Sequence, residues 1–553
     1  MHYYFSHVFT ILCILREEFR KFMLFNSYIF IFIFLPVALA GWYGLNRLGR
    51  YRLASLFLSA MSLWFYAYFN VSYLAIILCS IGLNYLLSLA LSKTDTKGLP
   101  ADSDAEKLDS THGIDGKMSK NATAQKTPLS FSHKMGLLAG LVLNLGILFY
   151  FKYYDFFIEN INLAFHTDFN LKHILLPLGI SFFTFQQMSY VIDRALGRCR
   201  HYDFINYLTF VTFFPQLIAG PIVLHSEIIP QFEDPERRRF DSASFSRGIY
   251  LFVLGLAKKV LLADTFGLMA NFGFAQTFSL DAVSTVFVIL AYSFELYFDF
   301  SGYSDMAIGL GRMFHVELPL NFDSPYRSCS IKEFWQRWHI TLSRFFITYV
   351  YIPLGGSRKG RARMLLNTFV VFLLSGLWHG AAWTYVAWGA MQGLLVVLDN
   401  LGVVGIRGRE EKHPSRFHIP APIGWVITFT LFNLSLFFFR SSSMLAAGQL
   451  FKNLLSVSFN GKLFEIAAQL DISEIYVLRQ ALELTAPAAV NYLYLFVMLA
   501  LFVLAFYLIF HKNAYERAAH NELTSGRCWG ICILFIWCVV SLSQVSTFLY
   551  FNF

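Results

Sequence analysis

Long apolar runs separated by short polar loops dominate the sequence. Many of the runs approach about 17 to 25 residues, which is the length that carries an α-helix across the hydrocarbon core of a bilayer. Candidate helices occupy 26–45, 53–69, 71–92, 135–151, 174–192, 203–223, 248–270, 283–298, 340–353, 364–379, 383–399, 422–439, 490–510 and 527–549. Some of these segments are short or polar, so we expect ten to thirteen crossings and an all-α polytopic membrane protein.

The same pattern divides the chain into five segments. Residues 93–134 are polar and lack apolar periodicity, which predicts a mobile cytoplasmic loop that takes no part in a shaped site. Residues 1–22 are interrupted by charges and are interpreted as an N-terminal extension or interfacial helix, so a chain starting at Met23 should still insert. The remaining segments are predicted as N-terminal transmembrane helices at 23–92, a core at 135–455, and surface helices followed by the last transmembrane helices at 456–553.

Composition and charge agree with a membrane protein. Hydrophobic residues make up 56% of the 553 residues and charged residues 14%, against about 25% charged in soluble proteins. The formal net charge of +9 comes from Lys and Arg in the loops, which indicates topology by the positive-inside rule and does not imply nucleic acid. The seven cysteines form no CxxC pair, so neither a disulfide framework nor a zinc site is predicted.

Two histidines stand among aromatic and aliphatic residues in the second half of the chain. His379, in SGLWHGAAW, is either a packing histidine or a general base that takes a proton from an attacking hydroxyl. His339 follows two tryptophans in EFWQRWHITLS, and the spacing of Trp335, Trp338, His339 and Leu342 predicts one helical face that orients a substrate or simply packs. No HExxH or HxxxH spacing links the histidines, so a metal pair is not expected.

Acidic and basic residues flank these motifs. Glu295 and Asp299 are four residues apart and are interpreted either as a proton relay or as ion-pair partners of Arg337 or Arg344. The basic turn PLGGSRKGR is interpreted as a cytoplasmic loop in preference to a phosphate-contacting edge.

The motifs YFDFSGYSDMAIGLGRMF, ELPLNFDSPYRS, EFWQRWHITLS, YIPLGGSRKG and SGLWHGAAWTYVAWG resemble the membrane-bound O-acyltransferase (MBOAT) superfamily, in particular its alginate O-acetylase branch. The likeness extends from Met23 to about residue 455. It implies a ring of tilted helices around a central tunnel, with His379 as the catalytic residue and His339 as a second active-site position. One departure is Ile347-Thr348, where the family commonly carries Arg-Asp.

The resemblance implies an acetyltransferase that moves an acetyl group from a cytosolic thioester, acetyl-CoA, towards hydroxyls of an exported polysaccharide, directly or through a periplasmic partner. D-alanyl transfer to a cell-envelope polymer is the alternative, and a transporter or a non-catalytic export-complex subunit represents another class. Expected partners are a periplasmic acetyltransferase or polysaccharide-synthesis proteins, in a bacterial inner membrane. No permanently bound cofactor and no metal are expected. The predicted substrate-binding residues are Trp335, Trp338, Trp378, Asp299, Arg337 and Ser375.

Two imidazoles within apolar helices need polar groups or water beside them, and both must lie within reach of one substrate. We therefore expect His339 and His379 to face one enclosed, partly hydrated cavity that is reached from the cytoplasmic side.

Overall fold

The computed structural model describes residues 23–92, 130–406, 417–456, 459–520, 524–543 and 548–549. Expectations about residues 1–22 and 93–129 lie outside this part of the chain. Residues 130–134, which the sequence analysis assigned to the loop, instead cap and open a helix: Ser130 accepts a hydrogen bond from the His133 N–H, and the helix begins at Phe131. A serine at this position satisfies a helix N–H that has no partner within the helix.

Helices account for most of the described residues. In the first half of the chain they are α1 (Leu35–Arg47), α2 (Tyr51–Ala67), α3 (Val71–Ser92), α4 (Phe131–Leu148), α5 (Tyr154–Phe165), α6 (Ile180–Ala195), α7 (Phe204–Thr212), α8 (Phe214–Leu217), α9 (His225–Glu233), α10 (Ser242–Ala257) and α11 (Asp264–Ala275). In the second half they are α12 (Ala282–Met313), α13 (Ile331–Arg337), α14 (Ile340–Phe346), α15 (Arg361–His379), α16 (Trp383–Asn400), α17 (Ala421–Arg440), α18 (Met444–Asn453), α19 (Lys462–Ala467), α20 (Tyr476–Thr485), α21 (Ala489–Phe510), α22 (Ala514–His520) and α23 (Ser525–Val540).

Shorter elements join or interrupt these helices. π-helical turns lie at Phe30–Phe34, Phe149–Tyr153, Lys258–Ala263 and Ile347–Tyr351. The 3₁₀ turns are Thr277–Ser279, Pro325–Arg327, Ser473–Ile475 and Ser541–Ser543. Two short strands, β1 (Val404–Ile406) and β2 (Phe417–Ile419), pair in parallel with Val404 opposite Phe417. The all-α polytopic class expected from the sequence is confirmed.

Seven helices of the described part of the chain are long and apolar enough to cross a membrane. They are Phe30–Arg47, Val71–Leu91, Phe131–Phe165, Ala282–Met313, Arg361–His379, Ala421–Arg440 and Ala489–Phe510. Several other expected spans form shorter helices. The 203–223 segment divides at Phe213, whose backbone leaves the helical region, into α7, α8 and a non-helical stretch through Gly220. Such breaks at membrane depth occur where the backbone is buried in protein.

Glycines bring the two central helices together. A Cβ on Gly255 would lie 2.5 Å from the Gly302 carbonyl oxygen, and one on Gly248 would lie 2.7 Å from the Gly309 carbonyl oxygen. Only residues without a side chain allow α10 and α12 to approach this closely, as in other helix pairs in membranes.

The buried apolar residues form two clusters. One gathers the N-terminal helices with α10 and includes Trp378, and the other gathers α11, α17 and α21 and includes Trp388. Both histidine motifs therefore lie where the two apolar cores meet.

Candidate active site

The SGLWHG segment forms the end of α15. His379 is the last residue of this helix, and Gly380 continues in an extended conformation. A Cβ on Gly376 would clash with the Tyr385 carbonyl oxygen, and a Cβ on Gly380 would clash with the Tyr385 ring. The two glycines of the motif therefore let α16 turn back closely against the end of α15, which fixes the backbone that carries His379.

Aromatic rings enclose the His379 imidazole. Its centroid lies 5.0 Å from that of Trp378, 5.2 Å from Trp388 and 5.2 Å from Phe439. His379 is only 6% exposed, and it lines a cavity of about 20 Å³. The other lining residues are Leu296, Phe300, Trp338, Trp388, Phe432, Leu436 and Phe439. A cavity of this size accommodates about one water molecule.

The RWH segment is not one helix, so the prediction of a single helical face is wrong. α13 ends at Arg337, Trp338 is extended, and His339 adopts the left-handed conformation with φ 45°. The Asp323 N–H donates to the Arg337 carbonyl (2.9 Å), and the Ile340 N–H donates to the Asn321 carbonyl (3.0 Å). The upstream segment thus satisfies the backbone groups that the break exposes, which stabilises it.

Asn321 also holds the His339 ring. Its side-chain oxygen lies 3.1 Å from His339 Nδ1 and accepts a hydrogen bond of 2.9 Å from the Thr341 hydroxyl. Its side-chain nitrogen donates to Ser304 Oγ at 3.3 Å. His339 Nε2 is buried and has no hydrogen-bond partner among the described residues. A buried polar atom without a hydrogen bond costs free energy, and a bound polar group that contacts this nitrogen would remove that cost.

Trp378 lies next to both histidines. Its ring centroid is 6.0 Å from that of His339 and 5.0 Å from that of His379. Phe300, which lines the small cavity beside His379, also packs edge-to-face on His339 at 4.8 Å. The two histidines, separated by 40 residues in the sequence, are therefore both brought next to the ring of one tryptophan.

The predicted substrate-binding residues divide into two groups. Trp335 donates to Gln392 Oε1 at 3.1 Å and packs on Trp388 at 5.8 Å, and Ser375 lies one turn before His379 on α15. These two residues belong to the surroundings of His379, as do Trp338 and Trp378.

Asp299 and Arg337 lie in ion pairs instead. Asp299 Oδ1 is 2.6 Å from Lys259 Nζ, which also lies 2.8 Å from Asp264. Arg337 pairs with Glu333 at 3.2 Å and with Asp323 at 3.5 Å. The partner of Asp299 is thus Lys259 and not, as one alternative held, Arg337 or Arg344.

Sequence reasoning missed three residues that shape this region: Lys152, Asn321 and Lys259. Lys152 Nζ donates to the carbonyls of Trp378 (2.6 Å) and His379 (3.2 Å). The signal for Lys152 and Lys259 was available, since each is a cation within an apolar run, and such residues mark functional or structural sites by default. Asn321 has no comparable signal in the sequence.

A second cavity of about 580 Å³ has neither histidine in its lining. Its walls come from α10, α11, α12, α21 and α23, and they include Lys258 and Asp264. Within the described residues no cluster of His, Cys, Asp or Glu is arranged to hold a metal ion.

A buried imidazole in a helix that can span a membrane has the chemistry of an acid or a base, and such residues mark functional sites by default. The family model of the membrane-bound O-acyltransferases matches residues 194–441, a range that includes both histidine turns. A peptidoglycan O-acetyltransferase of Helicobacter pylori is 35% identical over 96% of this chain and 98% of its own length. The chain therefore belongs to the membrane-bound O-acyltransferase family and is an acyltransferase.

Two further groups of relatives cover less of the chain. A probable alginate O-acetylase of Pseudomonas putida is 36% identical over 78% of the chain and 80% of its own length. A teichoic acid D-alanyltransferase of Streptococcus thermophilus is 30% identical over 40% of the chain and 56% of its own length. The resemblance to the acyltransferase superfamily and to its alginate O-acetylase branch is confirmed.

Proposed function

We propose that this protein takes an acetyl group from cytosolic acetyl-CoA and passes it towards hydroxyl groups of a cell-envelope glycan, with peptidoglycan as the favoured acceptor. The choice of peptidoglycan as acceptor rests on how much of the chain aligns with each relative. The Helicobacter pylori peptidoglycan O-acetyltransferase aligns over 96% of the chain, whereas the alginate O-acetylase of Pseudomonas putida aligns over 78%.

In the proposed reaction, the neutral imidazole of His379 removes the proton from the attacking hydroxyl. The hydroxyl oxygen then forms a bond to the thioester carbonyl carbon, and the developing oxyanion is stabilised by hydrogen-bond donors of the site. As the carbon–sulfur bond breaks, the imidazolium returns its proton to the departing thiolate. Because Nδ1 of His339 faces the Asn321 side-chain oxygen, Nδ1 carries the proton of the neutral ring and Nε2 is left as an acceptor. We assign Nε2 to accept a hydrogen bond from the acceptor hydroxyl and so orient it towards the thioester.

The enclosing aromatic residues give this chemistry its environment. Trp335, Trp338 and Trp378 are all less than 10% exposed and, with Ser375, surround the turn that carries His379. Exclusion of bulk water favours transfer to the acceptor hydroxyl over hydrolysis of the thioester. We assign these four residues to the walls of the acyl-group site, and we assign Asp299 and Arg337 to its supporting ion pairs.

We place the protein in the bacterial inner membrane, where cytosolic donor and exported acceptor lie on opposite faces. A separate periplasmic acetyltransferase or a polysaccharide-synthesis protein is the partner that completes delivery to the polymer.

Purified protein reconstituted in liposomes tests the proposal. Incubation with radiolabelled acetyl-CoA and a soluble peptidoglycan fragment, with the periplasmic partner added in a second arm, should release free CoA and label the acceptor. His379→Ala should do neither. A matched reaction with D-alanine loaded on its carrier protein separates the two acyl groups, and labelling in that reaction alone would overturn acetyl transfer.

A further inference from the structure

A single cation, Lys152, interrupts the apolar stretch that runs through the middle of the long helical span Phe131–Phe165. Lys152 is the only charged residue between Lys134 and Asp155, in the sequence GILFYFKYYD. An ammonium group within a span is costly unless polar groups solvate it. The contacts that Lys152 makes therefore indicate how its charge is accommodated and what it stabilises.

The partners of Lys152 are backbone carbonyls at the end of α15. Its Nζ donates to the Trp378 carbonyl at 2.6 Å and to the His379 carbonyl at 3.2 Å. The neighbouring Tyr153 hydroxyl donates to the Leu377 carbonyl at 3.0 Å. The last carbonyls of a helix have no partner within the helix, and they carry its partial negative charge. Lys152 and Tyr153 supply the donors that this helix end requires.

Local geometry explains how two adjacent residues reach the same helix end. Lys152 and Tyr153 both lie in the π-helical turn Phe149–Tyr153, where the backbone departs from regular α-helical spacing. π-turns of this kind occur frequently at functional sites. Here the turn aims a charged donor and a neutral donor at three consecutive carbonyls, those of residues 377 to 379.

Lys152 also contacts the Trp378 ring, which lies near both histidines. Its Nζ is 5.8 Å from the centroid of the Trp378 indole, which in turn is near both His339 and His379. A cation at this distance is attracted by the negative face of the ring. The backbone of the His379 turn and the indole beside it are thus held by one side chain.

We propose that Lys152 is a positioning residue that holds the His379 turn and the Trp378 indole in the geometry required for acyl transfer. Lys152 acts through the carbonyls of residues 378 and 379, while the His379 ring points into the cavity. The inference rests on the proposed role of His379, and it adds a residue from a different helix, 226 positions away from Trp378.

Three variants of the full-length protein test this role. Lys152→Met keeps the length and removes the charge and donor, Lys152→Arg keeps both, and Tyr153→Phe removes only the neutral hydrogen bond to the same helix end. We expect Lys152→Met to lower kcat for acetyl transfer about 100-fold, the loss that an active-site displacement of about 1 Å can cause. KM for acetyl-CoA should change less than about threefold, because donor binding is not the affected step. Lys152→Arg should recover most of kcat, and Tyr153→Phe should lose far less than Lys152→Met.

Hydrogen–deuterium exchange of the detergent-solubilised variants provides a readout that needs no donor or acceptor. Lys152→Met should accelerate exchange at residues 376–384 and leave the remainder of α15 and α16 unchanged, with Lys152→Arg close to wild type. If Lys152→Met does not accumulate in membranes, Lys152→Gln, which retains a donor without the charge, is measured by the same criteria.

Wild-type kcat in Lys152→Met, or equal losses in Lys152→Met and Lys152→Arg, would overturn the proposal. So would accelerated exchange throughout α15 and α16, which would indicate a general loss of packing. A wild-type protein that does not use acetyl-CoA would refute the proposed function alone, because the exchange experiment would still decide whether Lys152 holds the turn.

Discussion

The two histidine turns are built in opposite ways. At the His379 turn, polar contacts from Lys152 hold the backbone carbonyls, and aromatic rings surround the imidazole. At the His339 turn, polar contacts hold the ring itself, because Asn321 contacts Nδ1 while the backbone adopts a left-handed conformation. The first arrangement anchors the main chain next to a small cavity, and the second fixes the ring by one of its nitrogens. This difference suits the roles we propose, in which His379 gains and loses a proton and His339 keeps one orientation.

The comparison predicts its largest effect at His379. Replacement by Ala should lower the rate of acetyl transfer by about 10² to 10⁴, which is the usual contribution of a positioned general base. The protein should still accumulate in membranes, because α15 packs through other residues. Transfer is measured with radiolabelled acetyl-CoA at matched protein levels, and His173→Asn, an exposed histidine of a loop, serves as the control. Near-wild-type transfer by the Ala variant would remove His379 from the mechanism.

The second prediction concerns His339. Replacement by Gly removes the imidazole at a position where φ is 45°, a conformation that glycine adopts without strain. We expect a loss of about 100-fold in kcat, attributable to the ring and not to the backbone. His315→Gly is the matched control, since His315 also has a positive φ (60°). Equal effects of the two variants would show that backbone conformation, not the ring, is being measured.

A smaller effect is expected when the His339 ring is kept but loses its contact with the Asn321 side chain. Asn321→Leu removes the side-chain oxygen that contacts His339 Nδ1 and the Thr341 hydroxyl. Of the bonds that are lost, only the one to His339 Nδ1 acts on the ring, and a single hydrogen bond is worth about 0.5 to 1.5 kcal/mol, so kcat should fall by about tenfold at most. The lost contacts with Thr341 and Ser304 should lower the stability of the protein. The same rate assay measures it, with Asn321→Asp as the variant that retains an acceptor. A loss as large as that of His339→Gly would mean that Asn321 itself contacts the substrate.

The smallest effect is expected at Arg337, which precedes the His339 turn. Its side chain is one-third exposed and pairs with Glu333 and Asp323. Because exposed ion pairs contribute about 0 to 1 kcal/mol, Arg337→Gln should change kcat and KM by less than about threefold. Kinetics over a range of acetyl-CoA concentrations measures both constants. A large rise in KM would instead assign Arg337 to donor binding.

Most of the helices could be predicted because apolar runs of membrane length leave the backbone few alternatives. The break at His339 could not, because the aromatic residues at Trp335 and Trp338 have the spacing of a helical face. What ends α13 is the contact with the 321–323 segment, which lies about 18 positions upstream of His339. The Lys152 contact is still less accessible to sequence reasoning, since it joins residues 226 positions apart. In both cases long-range hydrogen bonds decide the local geometry.

The π-turn at Phe149–Tyr153 has a consequence for how relatives of this protein vary. A π-turn contains about one more residue than the α-helical turn it replaces, so the helix accommodates one extra residue at this point. Deletion of one residue there would leave a continuous helix, but every side chain on one side of the deletion would rotate by about 100° relative to the other. A relative with a one-residue gap at this point should therefore carry its lysine at a shifted position, or satisfy the carbonyls of the helix end that bears the counterpart of His379 by other means.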